Sequence, residues 1–257
     1  MTRTSISRQP AAQRTYDAFA AGYDVFNRRY MYERWTGRLL AKAEENGLSG
    51  KRLLDVGCGT GLSFVTLLAQ GWEVSGCDIS PLMLEKAREK VGEEVSLVVA
   101  DMRELPVLGE FDLIWSVDDA VNYLMSREEL EAALRGMRRN LAPTGIVLFD
   151  VNTLTGYRGF WSSEVVVEHD GLRFVWRGQG AGEEAAPGSV FESRLGGEGE
   201  GVEEHVHRQR HFPEAEVLAA IEAAGLHCVE VAGELEGELS RGLDEDIHTK
   251  AVYVCKA

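Results

Sequence analysis

Three aspartates close three successive apolar runs of the chain: Asp55 in Leu53-Leu54-Asp55-Val56, Asp78 at the end of Trp72 to Cys77, and Asp101 directly after Val95 to Ala100. Carboxylates accept hydrogen bonds, so three of them delivered to one rim suit a guest rich in hydroxyl and amino groups. The first run breaks into Gly57-Cys58-Gly59-Thr60-Gly61. Glycine turns with positive φ and lets another molecule touch the backbone, so three alternating glycines between a strand and a helix form a seat for a ligand. The dinucleotide fingerprint spaces its glycines as G-x-G-x-x-G, whereas this loop reads G-x-G-x-G with an acid two residues upstream.

The elements that must carry these residues follow from periodicity. Strand 53–56 and the helix Leu62 to Ala69 flank the glycine loop, and a strand then ends on Asp78, 17 residues beyond Gly61. One helix plus one strand over that distance returns the chain to the same carboxyl edge, where a carboxylate can accept from both ribose hydroxyls. Ser80 and Pro81 open a helix to Lys90 with Leu82, Leu84 and Ala87 inward. Strands at 95–101, 111–117 and 146–152 and a helix from about Glu128 to Leu141 complete the alternation, with Pro143-Thr144-Gly145 as a turn. The class is α/β, a doubly wound, mostly parallel sheet.

Two segments depart from that alternation. Residues 1–12 read as a flexible tail, and a helical segment from Arg14 to Asn46 carries the stripe Tyr16, Phe19, Tyr23, Phe26 and Tyr30. From Tyr157 to Phe212, short period-2 runs separated by Asp170-Gly171 and by glycine-rich tracts at 178–188 and 196–201 read as an antiparallel insertion of three or four strands with mobile tips. A helix at 214–224, a strand at 226–232 and a last strand at 251–255 finish the chain, with 234–248 as a loose acidic loop. The resulting division is a lid at 13–47, a core at 48–156 and 213–257, and an insertion at 157–212.

The loop G-x-G-x-G behind its acid, with Asp78 and the pair Asp101-Met102, resembles the signature of class I S-adenosylmethionine-dependent methyltransferases. That resemblance implies a Rossmann-like, seven-stranded sheet and S-adenosylmethionine as cofactor, with S-adenosylhomocysteine as product. It places Asp55, Gly57, Cys58 and Gly59 at the amino acid end of the cofactor, Asp78, Ile79 and Met83 at the ribose side, and Asp101 and Met102 at the adenine. It sets the backbone of Val117 against the methionyl amine, with Asp118, Asp119 and Asn122 facing cofactor or acceptor. The phrase Phe19-Ala20 followed by Tyr23-Asp24 resembles the N-terminal cap of small-molecule methyltransferases, whose tyrosine reaches the cofactor carboxylate, and Tyr32-Glu33-Arg34-Trp35 resembles a second piece, so Tyr23, Tyr32 and Trp35 join the cofactor set. The run after strand 4 is not the Asn-Pro-Pro-aromatic motif of enzymes that methylate DNA bases or glutamine. Phrases such as Phe149-Asp150-Val151-Asn152-Thr153 and Asp101-Met102-Arg103 are similar to those of uncharacterised bacterial methyltransferases and aminosugar N-methyltransferases. A nicotinamide-dependent oxidoreductase and a non-catalytic cofactor-binding module are the alternatives.

Methyl transfer asks mainly for alignment of nucleophile, methyl carbon and sulfur, with a base where the acceptor has a proton to lose. Asp119, His205 and His207 are the candidates for that base. His205, His207 and His211 occupy odd positions of one strand and can share a face. No other ligand cluster accompanies H-x-H, so no metal is expected. Either His205 or His207, with Gln209 or Arg210, lines an acceptor pocket, or the strand is solvated. Tyr157 and Trp161 line the same pocket or pack beneath the insertion.

Composition bounds the partners. The chain has 257 residues, 44% of them hydrophobic, and 27 Lys plus Arg against 42 Asp plus Glu give a net charge of −15. That balance repels phosphate backbones, and the cluster Arg135, Arg138 and Arg139 is interleaved with acids on a helix face. The expected partner is a small-molecule acceptor rather than nucleic acid or membrane, with monomer and homodimer both open. Four cysteines without a C-x-x-C pair, and no signal-like or membrane-length apolar run, point to the cytoplasm.

Overall fold

The computed structural model describes residues 9–169, 171–179, 185–198 and 204–257. The expected N-terminal tail therefore lies mostly outside the described residues, as do parts of the expected hairpin tips. The chain runs α1 (Ala11–Phe19), α2 (Tyr23–Phe26), α3 (Tyr32–Glu45), β1 (Arg52–Val56), α4 (Val65–Ala69), β2 (Glu73–Asp78), α5 (Pro81–Val91), β3 (Ser96–Val99), β4 (Phe111–Ser116), α6 (Arg127–Arg139), β5 (Leu141–Asn152) and α7 (Leu154–Arg158). It continues as β6 (Glu164–His169), β7 (Leu172–Gly178), β8 (Val190–Glu198), β9 (His205–Arg210), α8 (Glu214–Ala223), β10 (His227–Leu235), β11 (Glu238–Arg241) and β12 (Lys250–Lys256).

The main sheet has the order β11-β10-β12-β5-β4-β1-β2-β3, parallel from β5 to β3 and antiparallel from β12 outward. Its register decides where the acids go. Asp55 pairs with Gly76 and Asp78 with Val99, so the glycine loop after β1, Asp78 ending β2 and Asp101 just past β3 share one edge. Apolar clusters fill both faces of this sheet, as expected of strands buried on both sides. Ser80 caps α5 by accepting from the N–H of Met83, with Pro81 at the first helical position.

Four expectations are corrected. The sheet has eight strands rather than seven, because Glu238–Arg241 pairs with β10 inside the segment read as a loose loop. The N-terminal segment is not one helix: it breaks at Gly22, where an added Cβ would come within 2.3 Å of the Phe174 ring. Pro143-Thr144-Gly145 is an irregularity within β5 opposite β4, where Phe111 pairs with Leu141 and Leu113 already with Ile146. The helix after the glycine loop begins only at Val65.

The insertion forms a second, four-stranded antiparallel sheet, β6-β7-β8-β9. Beneath it, Phe19, Tyr157, Trp161, Phe174, Trp176 and Phe191 make a third apolar cluster. The Thr15 hydroxyl donates to the Val206 carbonyl at 2.8 Å, tying α1 to β9.

Candidate functional site

A cleft of about 180 Å³ opens at the shared edge, over the carboxyl ends of β1 to β4 and under α1 and α2. Gly57, Cys58, Gly59, Asp78, Ile79, Met83, Asp101, Met102, Val117, Asp118, Tyr23 and Tyr32 all line it, which joins most of the expected cofactor residues in one place. Gly57 (φ 80°), Gly59 (φ 54°) and Gly61 (φ 81°) take the left-handed turns that side chains resist. At Gly57 a Cβ would stand 3.1 Å from the Ala120 methyl, so the loop lies close against the turn after β4.

Asp78 is 7% exposed. Its carboxylate accepts from the N–H of Gly59 at 2.9 Å and of Ser80 at 2.8 Å. Burial outweighs these donors and pushes its pKa up to about 6. Asp101 is held differently: Arg103 donates to it from Nε at 3.0 Å, from Nη2 and from its own backbone N–H, and also pairs with Glu129 at 2.9 Å. Burial raises the Asp101 pKa, but Arg103 prevails and holds it below the usual range.

Asp55 does not reach the cleft. It is fully buried beneath the glycine loop, accepts from the Ser63 hydroxyl, and is pushed up to about 7 by burial. Ser63 and Leu62 stand on the cleft wall in its stead. Trp35 belongs to the core cluster and borders a separate hollow beside Arg34 and Arg38. Asn122 is also buried, donating to the Arg210 carbonyl at 2.8 Å and accepting from the Asn152 N–H at 3.0 Å, so it braces the turn.

The turn after β4 holds two consecutive non-glycine residues in the left-handed region, Asp118 (φ 60°) and Asp119 (φ 54°). Asp118 faces the cleft and accepts from the Tyr32 hydroxyl at 2.7 Å, which lies 2.9 Å from the Tyr23 hydroxyl. Asp119 turns instead toward Lys250, whose Nζ lies 2.7 Å from it, 2.8 Å from Asp150 and 3.6 Å from Asp118. The Gln209 amide also donates to Asp119. Burial raises Asp119 to about 6 against the opposing Lys250 charge. Burial works against the Lys250 ammonium, yet Asp119, Asp150 and Asp118 together hold its pKa well above the usual lysine value.

The histidines stand behind the cleft wall rather than on it. His207 Nδ1 lies 2.7 Å from the Tyr123 hydroxyl, and its Nε2 is buried without a hydrogen-bond partner. Burial, with His205 adding to it, lowers its pKa to about 3. His205 packs 5.1 Å from the Phe19 and His207 rings. Tyr123 and Tyr16, 5.2 Å apart, are the groups that face the cavity. Tyr157 is buried, stacked on Phe191 at 4.2 Å, with its hydroxyl donating to Gln209 at 3.1 Å. Trp161 packs against it, and Arg210 is paired with Glu216 at 2.7 Å over the Phe212 ring. None of these three lines the cleft. Among the described residues no group of three or more His, Cys, Asp or Glu is arranged to hold a metal ion, and no helix is long and apolar enough to cross a membrane.

Sequence reasoning missed Arg103 as the partner of Asp101, Tyr123 as the residue in front of His207, and Lys250. Three carboxylates, Asp118, Asp119 and Asp150, near one edge were a signal that a cation had to be found for them.

Residues 53–145 match the family described as "Methyltransferase domain". YqeM of Bacillus subtilis is 28% identical over 244 residues, 92% of this chain and 96% of its own. The dTDP-3-amino-3,4,6-trideoxy-alpha-D-glucopyranose N,N-dimethyltransferase of Streptomyces venezuelae is 30% identical over 194 residues, 74% of this chain and 80% of its own. A crystal structure of an S-adenosylmethionine-dependent methyltransferase from Clostridium acetobutylicum superposes with a TM-score of 0.75 at 21% identity, covering 94% of this chain and 98% of that one. The chain belongs to the S-adenosylmethionine-dependent methyltransferases, and its eight-stranded sheet is the class I fold of that family.

Proposed function

We propose that the cleft holds S-adenosylmethionine with its ribose on Asp78, its adenine beside Asp101 and Met102, and its methionyl end over the Gly57–Gly59 loop below Tyr23 and Tyr32. The observation that carries this reading is the meeting of that loop, Asp78 and Asp101 at one rim of one cavity. A cofactor fits the residues present: the glycines leave backbone open to close approach, and the Asp78 carboxylate, with about four acceptor positions, is not used up by its backbone donors and can take a ribose hydroxyl. When bound, the cofactor supplies an electrophilic methyl on a sulfonium.

The acceptor is a small-molecule amine or hydroxyl. It enters beside Tyr16, Tyr123 and Met125, which line the same cleft. A Streptomyces venezuelae relative named for an aminosugar substrate favours an amine. Tyr123, fixed by His207, orients the nucleophile. His207 is not the base, since a histidine held neutral down to about pH 3 takes a proton poorly. Asp119, with its carboxylate committed to Lys250 and Gln209, is not free to act as one either. The rate enhancement comes from alignment in a closed site. A cytoplasmic enzyme with free thiols fits the four unpaired cysteines.

The test is transfer of a labelled methyl group from S-adenosylmethionine to a panel of aminosugars, alkylamines and small alcohols. Label in a small molecule is expected. Label only in protein or nucleic acid overturns the reading.

A further inference from the structure

The three carboxylates at the ends of β4 and β5 share one ammonium, and that ammonium comes from a strand more than a hundred residues later than β4. Lys250 opens β12, opposite Asn152 of β5, and reaches Asp119 at 2.7 Å, Asp150 at 2.8 Å and Asp118 at 3.6 Å. Asp118 and Asp119 sit consecutively in the left-handed region, which aspartate enters more readily than most residues but as a single position, so two in succession call for contacts that hold them there. The holding contacts are on view. Asp119 donates its N–H to Asp150 at 3.2 Å, and one of its carboxylate oxygens accepts from Lys250 while the other accepts from Gln209 of the insertion. Asp118, held by the same turn, carries the Tyr32 hydroxyl and through it Tyr23.

We propose that Lys250 is a positioning residue for methyl transfer: by gathering Asp119, Asp150 and Asp118, it fixes the strained turn after β4 and, through Asp118, the two lid tyrosines over the cofactor. Without its charge, three carboxylates at this inner edge face one another, and the turn has no cation to hold it in the left-handed region. The role is distinct from that of a catalytic base or ligand, since the ammonium is spent entirely on carboxylates. It also gives a reason for the unusual Asp118-Asp119 pair, because Asp119 points back to be held while Asp118 points forward to hold. The inference rests on the reading of the cleft as the cofactor site.

A double-mutant cycle tests it, with S-adenosylmethionine binding measured by calorimetry on wild type, Lys250→Met, Tyr32→Phe and the double variant. Each single substitution is expected to weaken binding about tenfold. If Lys250 acts through Asp118 on Tyr32, the double variant is about as weak as either single one, and the cycle is coupled. Lys250→Arg, which keeps the charge, is expected to bind more tightly than Lys250→Met. Where Lys250→Met alone folds poorly, Lys250→Met with Asp150→Asn removes one surplus carboxylate charge and serves as the background for the same cycle. Factors that simply multiply, to about a hundredfold in the double variant, overturn the inference while the cofactor reading stands. A merely structural lysine lowers stability but leaves the cycle multiplicative. Wild-type protein that does not bind S-adenosylmethionine overturns the cofactor reading, and this inference with it.

Discussion

Replacing Asp78 by asparagine separates what its carboxylate does for binding from what it costs the fold. Burial lifts the pKa in the folded protein to about 6 from 3.8, so the folded state holds the proton more tightly than the unfolded chain. The sign follows directly. The stabilising contribution is complete below the unfolded value and is lost as pH rises through the folded one, so at neutral pH the ionised carboxylate burdens the fold. The difference of about two pH units corresponds to roughly 3 kcal/mol, and the 7% exposure of the residue means that solvent screens little of it. An asparagine side chain at this position would carry no such burden but would leave one of the two backbone donors, Gly59 or Ser80, poorly satisfied, at about 1–3 kcal/mol.

That second effect does not vary with pH, so the assay compares wild type and Asp78→Asn in urea at about pH 8 and about pH 5. Between those conditions wild type is expected to gain about 1.4 kcal/mol on the variant, the part of the linkage that falls in this window. The contribution from Asp119, also raised by burial, occurs in both proteins and cancels, and that from Asp55 nearly does, because the Asp78 charge is the smallest of the causes that act on it. A stability gap that stays constant across the two pH values refutes the claim that this carboxylate is desolvated. The same substitution is expected to weaken S-adenosylmethionine at least about tenfold at neutral pH, since the amide has one acceptor oxygen, and with a backbone N–H on it only one lone pair is left for two ribose hydroxyls. In wild type, affinity falls as pH drops below about 6.

Three more substitutions probe other parts of the site. Tyr23→Phe removes the hydroxyl 2.9 Å from that of Tyr32 and raises the cofactor dissociation constant severalfold, about 1 kcal/mol for one hydrogen bond; equal calorimetric affinities refute the lid contact. Gly57→Val abolishes binding, because the residue must adopt φ 80° with its Cβ against Ala120; a variant that binds as wild type does removes the loop from the site. His207→Asn leaves the shape of the activity profile between about pH 6 and 9 unchanged, since a group with a pKa near 3 stays neutral throughout; loss of an inflection in that range restores His207 as a base.

The parts of the site that lie along the chain were legible in the sequence, because β-period, capping and glycine spacing are local. Asp78 and Asp101 end consecutive strands, and right-handed crossovers bring such ends to one edge, so their meeting with Gly57 follows from order alone. Depth was not legible. Asp55 precedes the glycine loop and passed for a ligand, but its place within β1 directs it to Ser63 under the loop. His207 shares a strand face with His205 as the alternation required, yet that face looks into the aromatic cluster of Phe19 and Trp176, with Tyr123 between it and the cavity. Lys250 lies 131 residues from Asp119, and no periodicity links a lone lysine after an acidic loop to a turn that distant. Likewise β11 has too few apolar residues to announce itself as a strand and exists because β10 offers it an edge.

The central claim is that one adenosyl-bearing cofactor lies across the Gly57–Gly59 loop, Asp78 and Asp101. A crystal of the protein grown with S-adenosylmethionine tests it most directly. The account requires the ribose hydroxyls within hydrogen-bond reach of Asp78 and the adenine beside Asp101 and Met102. Density for the cofactor in the hollow beside Arg34 and Arg38, or anywhere that leaves Asp78 untouched, contradicts it.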